Sequence, residues 1–232
     1  MQGIPLNERK RLGALLDDRP QTEVMAMIPQ FSQAETDNFV APPAKIPEAL
    51  GVLMFNMERG VNLPEIQEFL RDCPDIQPFD VILANELDDG CARSGNKNTA
   101  RELAQAFGLN YAWGLEFIEL VNDENAKGFH GNAVFSRWPI RRAGVIRLPE
   151  QYNWYFDRQK RIGGRLAVFA ELDVGGQPVG AVSIHLENRT HGEGRKAQMA
   201  AILEAVRKEL PDMPLILSLI HISEPTRLGM IS

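Results

Sequence analysis

The 232-residue chain is 44% apolar and 24% charged, which is the composition of a globular protein with one sizeable domain. Its net charge of −6 argues against a processive protein that grips duplex DNA along many phosphates, although a local basic groove is compatible with that charge. No apolar run approaches the length of a membrane-spanning helix, and the two distant cysteines form no disulfide or zinc-binding pattern.

Residues 1–48 are predicted to form an N-terminal extension and a linker. The stretch 6–16 has the pattern of a short helix, and the proline-rich stretch 40–47 is typical of a linker. Charged side chains stand near the N-terminus where a signal peptide would need an apolar run, so we expect a cytoplasmic protein.

The segment 49–216 is predicted to form the main domain, which begins with two strand–helix units. Short apolar runs at 52–55 and 79–84 predict buried strands, and the helical spacing of apolar residues predicts helices at 63–73 and 99–107. Sheets packed on each other with helices outside are the expected architecture. The remainder is predicted as mostly β, with strands at 111–120, 131–136, 143–148, 166–174 and 178–186, a helix at 195–210 and a last strand from 214.

The last residues have an unusual sequence. Residues 217–227 read LSLIHISEPTR, which is the one-frame translation of a widely used transposase-type sequencing adapter. We interpret residues 217–232 as a non-native tail encoded by that adapter, and we expect the natural protein to continue past Ile216. The alternative interpretation is an apolar strand followed by a proline-containing loop.

Three polar side chains stand at the ends of predicted strands. Asn56 follows the strand at 52–55, Glu86 follows the strand at 79–84, and His185 lies near the end of the strand at 178–186. Cleavage of a phosphate ester needs Mg²⁺ or Mn²⁺ held by carboxylate oxygens, together with Asn and His side chains that hydrogen-bond the phosphate. Each residue alone is a weak signal. Glu86, beside two aspartates, could also be an acid in a surface turn.

The order of five motifs resembles that of the endonuclease/exonuclease/phosphatase superfamily, which includes deoxyribonucleases, abasic-site endonucleases, inositol-polyphosphate phosphatases and sphingomyelinases. The resemblance covers residues 50–216. It implies an α/β (α+β) fold, a four-layer α/β/β/α sandwich of two packed mixed β-sheets flanked by helices, incomplete at the C-terminus. The motifs are FNMERG, NELDD, GNAVFSRWPI, GGRLAVFAEL and VSIHLEN.

The resemblance also assigns roles to the three polar residues. It implies that Glu86 binds the Mg²⁺ or Mn²⁺ ion, and that Asn56 contacts metal-bound water or phosphate and belongs to both the metal and the catalytic set. His185 matches the catalytic histidine that hydrogen-bonds the scissile phosphate. The later G-D-x-N and D-H motifs of the superfamily do not occur in this chain.

Four further residues are predicted to contact the substrate. His130 and Asn132 precede a predicted strand, where superfamily members often place a substrate-side polar group, although an ordinary turn is an equal alternative. Arg165 matches a G-R pair that recurs before a strand in the superfamily, and Asn188 follows His185 in the same loop. The aromatic and basic segment 151–165 is either a specificity loop or an exposed hairpin.

The sequence therefore predicts that the full-length parent is a divalent-metal-dependent phosphoesterase, acting on phosphodiesters in a nuclease-like manner or on phosphomonoesters. We rank nucleic acid ahead of phosphoinositide and phospholipid substrates because nuclease is the commonest soluble bacterial role, and we expect a monomer. Two alternatives remain. One is a non-catalytic binding protein on the same fold, and the other is an inactive truncated fragment, which is the expectation for the 232-residue chain by itself.

Overall fold

Two mixed β-sheets form the centre of the molecule in a computed structural model that describes residues 1–219; residues 220–232 of the predicted tail lie outside the described range. The first sheet has the order β1 (Ala34–Asp37), β4 (Asn110–Glu119), β5 (Phe129–Ser136), β3 (Val81–Asp89) and β2 (Val52–Arg59), with β7 (Arg161–Gly163) paired to β4. The second has the order β10 (Leu215–Leu219), β9 (Gln177–Ile184), β8 (Leu166–Val174) and β6 (Ile140–Arg147). The pairs β2–β3 and β9–β10 are parallel, and the other pairs are antiparallel.

Alternation along the strands divides the apolar side chains between two cores. In β3, Val81 and Leu83 pack against the second sheet, whereas Ile82 and Ala84 face the helices. Both faces of the sheet are therefore covered, which explains why residues 81–84 of the strand are a continuous apolar run. The outer face of the first sheet is covered by α1 (Leu6–Ala14), α2 (Gln21–Ala26), α3 (Leu63–Asp72) and α4 (Thr99–Phe107), and that of the second by α5 (Gly192–Glu209).

The predicted four-layer α/β/β/α sandwich is thus confirmed. The bounds of α4 agree with the prediction because its ends carry recognisable signals. Asn98 Oδ1 accepts a hydrogen bond from the backbone N–H of Arg101, and Gly108 ends the helix with a left-handed backbone. Within residues 1–219, no helix is both long enough and apolar enough to cross a bilayer.

The N-terminal segment packs on the domain more closely than the predicted extension and linker. Residues 34–37 form β1, which pairs with β4 in the first sheet. Leu12, Val24 and Phe31 are buried in the same core cluster as residues of β3, β4 and β5. Single-sequence patterns missed this because β1 (AETD) has no apolar alternation and is recognised only by its pairing partner.

Candidate functional site

The predicted metal ligand Glu86 lies at an irregularity in β3. The pairing of β3 with β5 shifts register between Ala84 and Leu87, and Glu86 has a left-handed backbone with φ of 59°. Its backbone N–H donates to Asn132 Oδ1 at 3.1 Å, so Asn132 holds the bulge from the neighbouring strand. The irregularity leaves the Glu86 side chain partly exposed, whereas the neighbouring Asn85 is fully buried.

Asn56 in β2 contacts the Glu86 carboxylate directly. Its Nδ2 donates to Glu86 Oε1 at 3.1 Å, and its Oδ1 accepts the backbone N–H of Glu58 at 2.9 Å. Burial alone would raise the pKa of Glu86, but the charges of His130 and His185 and the bond from Asn56 outweigh burial and lower it. Glu86 is therefore ionised at neutral pH, as a metal ligand must be.

His185 reaches the same place from the second sheet. It follows the last residue of β9, and its Nε2 lies 3.9 Å from Glu86 Oε1. Hydrogen bonds join the two sheets directly behind it, from Asn85 Nδ2 to the Ile184 carbonyl at 3.2 Å and from Ser183 Oγ to the Ala84 carbonyl at 3.0 Å. The separation of Glu86 and His185 is therefore fixed by the junction of two strands.

Glu116, which the sequence analysis did not assign, orients His185. Its Oε2 lies 3.1 Å from His185 Nδ1, while Nε2 of the same ring lies 3.9 Å from Glu86 Oε1. Burial would raise the pKa of Glu116, but the charges of His185 and Arg165 lower it well below its ordinary value. A charged residue in the apolar strand YAWGLEFIE was the available signal, since a buried acid requires a partner.

Arg165 connects the predicted residues to two acids. The guanidinium donates to Glu116 at 3.1 Å, to Glu187 at 3.3 Å and to Asn188 Oδ1 at 3.3 Å. Its NH1 also lies 3.0 Å from Nδ1 and 3.1 Å from Nε2 of His185. Arg165 is almost wholly buried, whereas Asn188 is exposed and remains available to a substrate.

His130 lies deeper than the predicted substrate-contacting role requires. Its side chain is only 3% exposed, and Nδ1 lies 2.8 Å from Asp88 Oδ1, while Nε2 lies 3.8 Å from Glu116 Oε2. Arg93 donates to both oxygens of Asp88 from the other side. The His130 ring is thus buried between Asp88 and Glu116, and its contact with a substrate stays a prediction.

The aromatic and basic segment 151–165 is divided between buried and exposed residues. Trp154 is buried, with its Nε1 donating to Glu187 at 2.8 Å, and the Arg165 guanidinium lies 5.2 Å from its ring centre. Arg158 and Lys160 are exposed. Part of this segment thus builds the wall behind Arg165, and only its tip has the exposure that a specificity loop needs.

The described residues fit a metal ion held by few protein ligands. Glu86 offers an ionised carboxylate beside the Asn56 amide, and among residues 1–219 no group of three or more His, Cys, Asp or Glu side chains is arranged around a metal position. Mg²⁺ is commonly held by one or two carboxylates, with water and substrate phosphate completing its octahedron. The donor chemistry at Glu86 therefore suits a hard divalent cation.

Comparison with solved structures supports this fold. The human Nocturnin catalytic domain, solved with a bound sulfate anion, aligns with a TM-score of 0.51 and 20% identity over 82% of this chain and 67% of that chain. An endonuclease/exonuclease/phosphatase from Beutenbergia cavernae DSM 12333 aligns with a TM-score of 0.49 and 22% identity over 66% and 43% of the two chains. An endonuclease/exonuclease/phosphatase family protein from Leptotrichia buccalis C-1013-b aligns with a TM-score of 0.49 and 19% identity over 73% of this chain and 66% of that chain.

The similarity to the Nocturnin catalytic domain, at 20% identity, is a similarity of the fold. The present chain spans less than two thirds of the Beutenbergia and Leptotrichia chains. No protein-family model and no curated protein matches the sequence. At such low identity, chemistry must be argued from the residues of this chain.

Proposed function

We propose that the parent of this chain hydrolyses phosphate esters with the help of a divalent metal ion, Mg²⁺ or Mn²⁺. The observation that carries this proposal is the convergence of Glu86, Asn56 and His185 from three strands of two sheets. An acid, an amide and an imidazole at one opening are the groups that hold a metal ion and a phosphate.

Each residue has a distinct part in this proposal. Glu86 and Asn56 would hold the metal ion, whose charge would offset the negative charge that develops on the phosphate oxygens. His185, with Nδ1 held by Glu116, presents Nε2 as a donor to a non-bridging phosphate oxygen. Arg165 keeps Glu116 ionised and in place.

Among substrates, we favour phosphodiesters of nucleic acid over phosphoinositides and phospholipids. Asn188 and Arg189 are exposed three and four residues after His185, and the Arg189 guanidinium lies 5.9 Å from the ring centre of Tyr152. An aromatic ring paired with a cation beside a phosphate site suits a nucleotide, since bases stack on such surfaces. Sulfate in the Nocturnin structure is a tetrahedral anion of similar shape to phosphate. We further propose that the protein acts as a cytoplasmic monomer.

The test is hydrolysis by the protein expressed from its source gene, read past the codon for Ile216. We expect cleavage of bis(4-nitrophenyl) phosphate and of a single-stranded oligonucleotide in Mg²⁺ or Mn²⁺, and none in EDTA. His185→Asn should lower kcat on the order of 100-fold or more, because a donor to the transition state is lost. The exposed His191→Asn is the matched control and should retain activity. Turnover that persists in EDTA, or in His185→Asn, would contradict the proposal.

A further inference from the structure

A cavity of about 560 Å³ lies between the N-terminal segment and the strand ends of the domain. Helix α2 and the turn 28–32 form one wall, and residues 147–150 with residues 164–165 form the other. The volume falls within the range of roughly 300–1,000 Å³ that small-molecule sites occupy. Neither Glu86 nor Asn56 lines this cavity, and Arg165, which contacts His185, is the residue that the cavity and the candidate site share.

Most of the cavity wall is apolar. This composition favours a ligand with an apolar body, since burying apolar surface is the main source of binding energy in such pockets. The apolar side chains that line it include Met25, Ile28, Phe31, Leu148, Pro149 and Ala201.

Arg147 is the exception in this wall. Its guanidinium donates to the backbone carbonyls of Phe31 at 2.8 Å, of Gly164 at 3.2 Å and of Leu115, and it lies 4.8 Å from the Phe31 ring centre. These partners are neutral dipoles, and they leave part of its donor capacity free among the described residues. The side chain retains partial exposure, so it is accessible from the cavity it lines.

The charge of Arg147 is also uncompensated. No carboxylate of residues 1–219 forms an ion pair with it, and burial lowers its pKa to about 9, opposed only by the more distant charge of Glu116. Arg165 at the same cavity is different, because Glu116 and Glu187 neutralise it. A buried cation without a counter-charge is unfavourable, and an anionic ligand would remove that cost.

We propose that this cavity is a second binding site, distinct from the phosphoesterase opening, for a small amphipathic carboxylate whose head group pairs with Arg147 and whose apolar body fills the space between α2 and Leu148. A bidentate carboxylate matches the planar guanidinium. Glu150 lines the rim, where it is exposed, and it forms no ion pair with Arg147, so the cation remains available to a ligand.

The test is calorimetric titration of the 232-residue chain with decanoate and, separately, with decanol. Decanoate should bind more tightly than decanol. Arg147→Met should lower the affinity for decanoate roughly tenfold or more, while the affinity for decanol should stay almost unchanged. Arg142→Met is the matched control, because Arg142 lies on the same strand but faces solvent and pairs with Glu171. It should bind both probes as the parent chain does.

A second variant keeps the proposal testable if Arg147→Met does not fold. Ala201→Phe enlarges a side chain on the cavity wall from α5 without touching Arg147, and it should abolish binding of both probes. The proposal is overturned if decanoate does not bind, if it binds no better than decanol, or if Ala201→Phe binds decanoate as tightly as the parent chain. None of these outcomes depends on hydrolysis of phosphate esters.

Discussion

At the scale of single residues, Glu86 carries the proposed metal-binding carboxylate and has a backbone conformation that is unfavourable for a residue other than glycine. Its left-handed conformation, at φ of 59°, costs a non-glycine residue about 1–2 kcal/mol, and β3 retains it nonetheless. Without the bulge, the alternation of side chains along the strand would place the Glu86 side chain on the other face of the sheet. The strain is thus consistent with a residue kept for its carboxylate.

Two substitutions at this position separate the side chain from the backbone. Glu86→Ala and Glu86→Gly both remove the carboxylate, but only glycine also relieves the left-handed strain. We expect Glu86→Gly to be more stable than Glu86→Ala by about 1 kcal/mol in urea unfolding. Equal stabilities would show that the bulge is not strained.

Asp88 is the residue whose charge should make stability depend on pH. Burial would raise its pKa, but Arg93 and His130 outweigh burial and lower the pKa from 3.8 to about 2. Because the folded pKa lies below the ordinary one, the carboxylate stabilises the fold above about pH 4, and this contribution is lost as the pH falls toward 2.

Asp88→Asn should therefore lower the free energy of unfolding by about 2 kcal/mol at pH 6, and the two proteins should converge near pH 2. Urea unfolding at a series of pH values measures this difference. The exposed Asp75→Asn is the control and should change stability at pH 6 by less than about 0.5 kcal/mol. A constant difference between Asp88→Asn and the parent chain from pH 6 to pH 2 would contradict the assigned pKa.

At the scale of elements, most helices and strands follow from local patterns. Strands such as 166–174 were predicted with their observed bounds, because a buried strand between turn residues is a local signal. The first two residues of β5, Phe129 and His130, and the whole of β1 were not predicted. His130 and β1 are polar, and their strand conformation depends on partners far away in sequence.

The N-cap of helix α4 can be used to measure how much one capping side chain contributes to the free energy of unfolding. Asn98→Ala removes the side-chain bond to the N–H of Arg101, and we expect a loss of about 1 kcal/mol in urea unfolding. Asn62→Ala is the matched control, because Asn62 precedes α3 but makes no capping bond with its side chain. A larger effect at Asn62 than at Asn98 would contradict this account of the helix ends.

At the scale of the whole molecule, the N-terminal segment and the sheets share one core. Arg9 on α1 is buried and donates to the backbone carbonyls of Asn125 at 2.7 Å and Lys127 at 2.9 Å, which precede β5. Leu12 and Leu16 belong to the same apolar cluster as Trp113. We therefore expect the described chain to unfold in one cooperative step.

Arg9→Met tests this expectation. The substitution leaves the carbonyls of Asn125 and Lys127 without the Arg9 donor, so the free energy of unfolding should fall by about 2–3 kcal/mol. Tryptophan fluorescence and circular dichroism should report the same decrease. Arg11→Met is the control on the same helix, since Arg11 is exposed and bonds to Glu8, and it should leave the stability almost unchanged. Two separate transitions in either probe would show that the N-terminal segment folds apart from the sheets.

The site could be predicted from the sequence only in part. Asn56, Glu86 and His185 were predicted from polar residues near apolar runs and from the order of the motifs around them, although Asn56 and Glu86 lie within β2 and β3 and do not follow them. The contact of Glu116 with His185 joins positions 69 residues apart, and the burial of His130 depends on Asp88 in another strand. Such pairs become visible only when the register of the strands is known.

The central claim is that the Glu86 opening is a metal-dependent phosphoesterase site, and its most direct test is one substitution. The protein expressed from the source gene past the codon for Ile216 should cleave bis(4-nitrophenyl) phosphate in Mn²⁺. Glu86→Gln should lose on the order of 100-fold or more of kcat/KM, while Glu65→Gln, on the exposed face of α3, should not. Equal activity in Glu86→Gln and the parent protein would contradict the claim.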